Sequence, residues 1–301
     1  MRPWTQVPPQ RGRRFVITGS NGGLGLETAR ILGSRGAEVV MACRNVEKAE
    51  AAARTVPGYD KGRVEVRRLD VSDLSSVRSF VADLSADGRP VDVLVNNAGV
   101  LGVPYALSAE GVEMHFATNY VGHFALTLGL LPLLTDRVVV VSSREHRSGR
   151  IDLADLGWLQ RPYRPFQAYG DSKLACLLFM RELDRRLRAR GSQLRAVGAH
   201  PGATATSITS GSGNPVVTAI GHYGHRLVGM PGWRGALNTV YAATTDVEGG
   251  TYIGPHGRTE LWGWPAPAQM SPKVDDEVLA HRLWERSVEL TGIDLPALQE
   301  R

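Results

Sequence analysis

Tyr169 and Lys173 stand four residues apart in the run Tyr169-Gly170-Asp171-Ser172-Lys173, with Ser143 upstream and a glycine-rich stretch, residues 18–25, near the start of the chain. On a helix, positions i and i+4 share a face, so an ammonium one turn beyond a phenol can stabilise the phenolate. An unperturbed tyrosine keeps its proton to about pH 10. A fixed cation beside it brings proton exchange with a substrate within reach. A phenol that can trade a proton, a hydroxyl upstream and a turn suited to a nucleotide together point to hydride chemistry. The same spacing also describes a solvated helix face, so the pair acquires meaning only from the rest of the chain.

The glycine-rich stretch follows an apolar run, Phe15-Val16-Ile17, and precedes an amphipathic pattern, which places it where a buried strand passes into a helix. Glycine lets backbone approach a pyrophosphate closely, and the helix N-terminus offers unpaired N–H groups and the positive end of its dipole. Gly19-x3-Gly23-x-Gly25 departs from the common G-x-G-x-x-G spacing and, in isolation, equally describes a plain strand-to-helix turn. Its place at the first such junction of an alternating chain favours a nucleotide site made by Gly19, Ser20, Asn21, Gly23, Leu24 and Gly25. The second apolar run ends Met41-Ala42-Cys43-Arg44-Asn45. An Asp or Glu there would bond a ribose 2′-hydroxyl and repel a 2′-phosphate. Arg44 can pair with that phosphate, with Asn45 beside it as a further cofactor contact, so the reading is NADP(H), although an exposed loop arginine would look the same. Asp70, ending the third run before Val71, is placed to meet an adenine edge through its side chain or the Val71 N–H. It could equally cap a helix, a role that Ser72 fits better.

Positioning these groups requires a regular scaffold. Short β-branched runs at 14–18, 38–42, 64–69, 91–96, 137–142, 194–200 and 251–253 alternate with helical patterns at 24–34, 46–54, 74–84, 111–131, 166–190, 233–244 and 274–290. That order predicts a parallel sheet with helices on both faces. At 301 residues the chain could hold one large α/β domain or two smaller ones. Residues 206–232, rich in Gly, Ser and Pro, read as a substrate lid in preference to a disordered insertion, because they include apolar positions 216–220.

Charge and cysteines exclude several classes of function. The 35 Lys+Arg against 30 Asp+Glu give a net charge of +5, and the cations, nearly all Arg, are scattered in a way that argues against a nucleic-acid surface. Cys43 and Cys176 sit in apolar contexts and predict a reduced, intracellular protein. No apolar leader opens the chain, and the most apolar stretch, 124–134, is too short to span a bilayer, so the expectation is a cytoplasmic protein with no membrane anchor. Histidines at 115, 123, 146, 200, 222 and 225 show no spacing that closes a metal site, and no metal is expected.

Thr18-Gly19-x3-Gly23-x-Gly25, Asn96-Asn97-Ala98-Gly99, Asn119, Ser143, Tyr169-x3-Lys173 and Pro201-Gly202 occur in the order and approximate spacing of the short-chain dehydrogenases/reductases. The chain resembles that family over about residues 13–256. Ala42-Cys43-Arg44-Asn45, Thr118-Asn119-Tyr120-Val121-Gly122-His123-Phe124, Ser142-Ser143-Arg144-Glu145-His146 and Ser172-Lys173-Leu174-Ala175 are similar to the retinol dehydrogenase and WW-domain oxidoreductase-like branch, and to light-dependent protochlorophyllide reductases. The resemblance implies a Rossmann-like, doubly wound parallel α/β sheet of about seven strands, helices on both faces and one catalytic domain over residues 1–301, with residues 272–301 as a C-terminal helical extension. It also implies a nicotinamide cofactor and a carbonyl or alcohol substrate, and relatives are often homodimers or homotetramers.

Carried over by that resemblance, the pro-S hydride passes to a carbonyl carbon while Tyr169 protonates the developing alkoxide. Lys173 supports Tyr169 and holds the nicotinamide ribose, and Ser143 binds the carbonyl oxygen. Ser143 is chosen over Ser142 because it matches the family pattern and strand alternation aims the two apart. Asn119 would hold a water linking Lys173 to solvent. Asn97, Ala98 and Gly99 pass beneath the nicotinamide and adenosine ribose, and Pro201, Gly202 and Thr206 contact the nicotinamide end.

Tyr120, Cys176 and Asp171 depart from the family pattern beside the catalytic set and bear on substrate rather than chemistry. Membrane-bound retinol dehydrogenases carry an apolar N-terminal anchor not seen here, so retinoid activity is not carried over. Trp158, Tyr163 and Phe166, with lid residues Val216, Val217, Ile220 and Tyr223, suggest an apolar pocket for a bulky aldehyde, ketone or alcohol. Two alternatives stay open: an epimerase or dehydratase with the same Tyr-x3-Lys pair, and a nucleotide-sensing protein without turnover.

Overall fold

Alternation along each apolar run decides which way its side chains face. In β1 (Arg14–Thr18) Phe15 and Ile17 enter one core while Val16 enters the other, and in β5 (Leu134–Val141) Val139 and Val141 oppose Val138 and Val140. Strands buried on both sides in this way need helices on both faces. The computed structural model, which describes residues 7–204 and 230–295, has that arrangement. β1, β2 (Glu38–Cys43), β3 (Val64–Arg68), β4 (Val91–Asn96), β5, β6 (Arg195–Ala199) and β7 (Tyr252–Pro255) are parallel, in the order β3-β2-β1-β4-β5-β6-β7. An eighth strand, β8 (Pro265–Pro267), pairs antiparallel with β7. It was not anticipated: three residues, two of them proline, carry no strand signal, and proline is tolerated there because the strand lies at the edge.

One face packs α1 (Gly23–Ser34), α2 (Val46–Ala53) and α7 (Gly232–Thr244). The other packs α3 (Leu74–Ala86), α5 (Gly122–Leu130), α6 (Pro165–Ala189) and α8 (Glu277–Thr291). The sheet order reverses between β1 and β4, and crevices at such a reversal, beyond the carboxyl ends of the strands, are where ligands bind in this architecture.

The helix expected at 111–131 is shorter and interrupted. The chain turns at Gly111 (φ 74°), and a first short helix, α4 (Met114–Phe116), begins only where Glu113 caps it. A π-helical turn, Ala117–Val121, then carries Asn119 before α5 resumes regular geometry. Apolar periodicity runs through all of these residues and does not register the extra residue of a π turn, a feature frequent at functional sites. The cap of α3 is also corrected: Asp73, not Ser72, accepts the Ser75 N–H (2.8 Å).

Candidate active site

The cleft at the β1–β4 reversal has a volume of ≈ 460 Å³ and is walled by the Gly19–Gly25 turn, Arg44, Asn45, Lys48, Asp70, Val71 and the backbone of residues 97–100. Close packing explains the glycine at position 25: a Cβ there would lie 2.6 Å from Asn97 Nδ2 and 2.7 Å from the Gly19 carbonyl oxygen. Thr18 ties the turn to β4, because its Oγ1 accepts the N–H groups of Asn97 (2.9 Å) and Ala98 (2.8 Å) while Asn97 Nδ2 donates to the Thr18 carbonyl (2.7 Å). Its own proton is then left for His123 Nε2 (2.9 Å), whose ring donates from Nδ1 to the Asn119 carbonyl (3.1 Å). Burial lowers His123 to about 4, so it is neutral at ordinary pH. The turn and the π turn are thereby joined through a histidine to which the sequence alone assigns no such role.

Not every predicted cofactor residue faces the cleft in the expected way. Ser20 is fully buried, donates to the Ile17 carbonyl (2.9 Å) and leaves only its backbone for a ligand. Asn45 spends its side chain capping α2, accepting the Lys48 N–H (2.8 Å). Lys48, on the first turn of α2, lines the cleft and was missed; a cation three residues after a capping Asn is its only sequence signal. Arg44 is 75% exposed and 3.8 Å from Asp70, so two residues expected to meet different parts of a nucleotide face each other across the cleft. Asp70 Oδ1 also accepts from the N–H (3.0 Å) and hydroxyl (2.6 Å) of Ser72. Pro201 and Gly202 lie beside a loop fixed by the Ala203 N–H to the Leu261 carbonyl (2.9 Å), whereas Thr206 and nearly all of the expected lid lie outside the described residues.

The groups expected to do the chemistry gather where the cleft ends. Lys173 Nζ is 5.7 Å from the centre of the Tyr169 ring and donates to the Val141 carbonyl (3.1 Å). Asn119 clamps Val100 at both backbone groups, Oδ1 accepting from N (2.8 Å) and Nδ2 donating to O (3.1 Å), and also donates to Ser172 Oγ (2.9 Å). Ser172 Oγ in turn donates to the Tyr169 carbonyl (2.7 Å). Gly99 fits in front of this group: a Cβ there would lie 3.1 Å from Asn119 Oδ1 and 3.5 Å from Lys173 Nζ. Ser142 and Ser143 point apart. Ser142 is buried and donates to the Lys173 carbonyl (2.8 Å), while half-buried Ser143 accepts the Glu145 N–H (3.2 Å). His146, the last residue of the Ser142–His146 motif, donates from Nδ1 to the Ser143 carbonyl (2.6 Å) and accepts the Ser271 N–H at Nε2 (3.0 Å).

The departures from the family pattern have structural explanations. Tyr120 sends its hydroxyl to Ser287 of α8 (2.6 Å), and Cys176 Sγ donates to the Asn119 carbonyl (3.3 Å). Asp171 accepts the Arg150 N–H (2.6 Å) and Gln167 Nε2 (2.7 Å), anchoring the segment that precedes α6. Among the expected pocket aromatics, Trp158 is buried under the Arg161 guanidinium (3.8 Å), Tyr163 bonds Glu113, and Phe166 is exposed.

Burial raises Asp171 to about 6 against the lowering effect of the Arg150 N–H, Gln167 and Arg161. A raised acid favours the protonated fold, so its stabilisation is complete below 3.8 and is lost as pH rises through about 6. Asp171→Asn is expected to flatten the dependence of melting temperature on pH across that window. Equal slopes in the two proteins would show that Asp171 does not titrate there.

Comparison with known proteins places these features. The family model described as short chain dehydrogenase matches residues 13–215. Retinol dehydrogenase 13 of Homo sapiens is 36% identical over 302 residues, covering 96% of this chain and 88% of the relative. Polyprenol dehydrogenase of Mus musculus is 37% identical, covering 95% of this chain and 86% of the relative. The crystal structure of an uncharacterized protein from Mycobacterium paratuberculosis is 46% identical with a TM-score of 0.83, covering 98% of both chains.

Proposed function

The chain belongs to the short-chain dehydrogenases, oxidoreductases acting on CH–OH or C=O groups, and from that premise we propose that it is NADP(H)-dependent, with Tyr169 as general acid and base. Its substrate is a bulky apolar aldehyde or ketone, or the corresponding alcohol in the reverse direction. One observation carries the reading. The glycine-walled cleft ends at Gly99, directly in front of Lys173 and Asn119, so a nucleotide laid along it would deliver its far end to the Tyr169 group.

The cleft suits such a cofactor. Backbone N–H groups at the N-terminus of α1 would hold the pyrophosphate, Arg44 and Lys48 the 2′-phosphate, Asp70 and Val71 the adenine, and residues 97–99 the riboses. A nicotinamide bound there supplies or accepts the hydride. Tyr169 gives its proton to the carbonyl oxygen, which Ser143 Oγ also bonds as charge builds. Lys173, with one N–H spent on Val141, keeps two for the nicotinamide ribose and for the charge on Tyr169. Asn119 holds Val100, and through it the cleft wall, in register with Lys173. The apolar substrate class is supported by relatives named as dehydrogenases of retinol and of polyprenol, both bulky apolar alcohols.

Arg44→Ala tests the cofactor assignment. Losing a charge-assisted bond of ~1.5–3 kcal/mol is expected to weaken NADPH by about 10- to 100-fold and to leave NADH nearly unchanged. Equal losses for both cofactors, measured by fluorescence titration, would remove the 2′-phosphate role.

A further inference from the structure

Buried Glu113 and His115 and half-buried Tyr163 form a polar cluster beside Tyr169, apart from the catalytic and cofactor residues assigned above. Glu113 and His115 are each 0% exposed, and the His115 ring meets that of Tyr169 edge-on at 6.3 Å between centres. Both oxygens of Glu113 are occupied. Oε1 accepts from His115 Nδ1 (2.7 Å) and the Tyr163 hydroxyl (2.9 Å), and Oε2 from the backbone N–H groups of His115 (2.9 Å) and Phe116 (3.2 Å). Burial alone would raise this carboxyl; the donors, His115 first, outweigh it and hold Glu113 below the usual range.

His115 Nε2 accepts the Gly102 N–H at 2.9 Å and so carries no proton. The ring's one proton therefore sits on Nδ1, facing a carboxylate that only accepts. Gly102 lies three residues past Gly99, on the loop whose Val100 is clamped by Asn119. The loop is therefore held at two nearby points, by Asn119 and by His115.

We propose that His115, locked by Glu113 as its Nδ1–H tautomer, is a positioning residue that fixes the loop of residues 99–105 against Tyr169 and so sets where the carbonyl substrate meets the catalytic group. This inference rests on the oxidoreductase reading of the same site. Its logic is a chain of donors and acceptors in which one change of sign propagates. In Glu113→Gln the amide oxygen is retained by the two backbone donors of α4, so the NH₂ group must face His115 Nδ1. The imidazole then moves its proton to Nε2, which confronts the Gly102 N–H donor to donor, and the loop loses its second anchor.

The test is nitrogen NMR of the full-length enzyme with labelled histidine, alongside steady-state kinetics on a screened carbonyl substrate. Wild-type His115 is expected to carry its proton on Nδ1, and Glu113→Gln on Nε2. The variant should show a loss of about tenfold in kcat/KM for the carbonyl, the scale of one buried hydrogen bond, while NADPH affinity stays within about twofold. His115→Gln, whose amide oxygen can still accept from Gly102, should retain more activity than His115→Leu, and this pair serves if Glu113→Gln does not fold. The proposal fails if wild-type His115 is protonated on Nε2, if His115→Gln and His115→Leu are equally impaired, or if carbonyl kcat/KM falls only in step with NADPH affinity. The tautomer is read without turnover, so an error in it is distinguishable from an error in the oxidoreductase reading.

Discussion

Tyr169→Phe is expected to lower kcat by about 10²–10⁴-fold, the usual contribution of a positioned general acid, while NADPH binds as tightly as to the wild type. The ring is 6% exposed and packed against His115, and phenylalanine keeps that ring and removes only the oxygen. The backbone carbonyl of residue 169 still accepts from Ser172, so Asn119 keeps its partner and the cleft wall keeps its place. A loss confined to the chemical step therefore isolates the proton. Because the interaction is made chiefly in the transition state, kcat and kcat/KM should fall together. Single-turnover reduction monitored by nicotinamide absorbance separates this step from product release. Wild-type turnover in the variant would assign the proton to another group, with Ser143 the first alternative.

Trp284→Ala should cost ~3–5 kcal/mol of stability, the usual range for emptying a large aromatic site. Trp284 is 2% exposed on α8 and packs edge-on against Phe124 (5.0 Å between ring centres) and stacked against Phe179 (6.0 Å). Arg186 lies over its ring at 4.3 Å, and its Nε1 donates to Asp294 (2.9 Å). The substitution would loosen Phe124 of α5 and Phe179 of α6, the two rings against which Tyr120 of the π turn packs. Chemical denaturation should show a lower midpoint with little change in slope, and NADPH should raise the stability by an amount that grows with the logarithm of its concentration above Kd. A midpoint near that of the wild type would mean that α8 is not an integral part of the core.

The regular scaffold was legible because unbroken apolar runs at Phe15-Val16-Ile17 and in residues 138–141 report burial on both sides of a strand. Side-chain accounting was less legible. Residue type suggests Ser72 as a cap, yet Asp73 takes it, and Asn45 of the cleft wall also caps α2, since local hydrogen bonds to backbone depend on chain geometry that residue type does not fix. Tyr120 was read as a clue to substrate and is instead bonded to Ser287, 167 positions away, a contact no local pattern can show. Neither His115 nor His123 receives a structural role from the sequence, where both enter the metal-spacing argument and His123 also the family resemblance. A closer reading had a signal for both: a buried histidine needs a partner for each nitrogen, and Glu113 and Asn119 stand two and four residues before them.

The central claim, that this chain transfers hydride between NADP(H) and a carbonyl held at Tyr169, is tested most directly by isotope transfer. NADPH carrying deuterium in the pro-S position at C4 of the nicotinamide would be incubated with the enzyme and a panel of apolar aldehydes and ketones, and each alcohol product analysed by mass spectrometry and NMR. The claim predicts one deuterium on the carbinol carbon and a hydroxyl proton from solvent. Product with only solvent-derived hydrogen on that carbon, or bound NADPH that never loses its label across the panel, would contradict it.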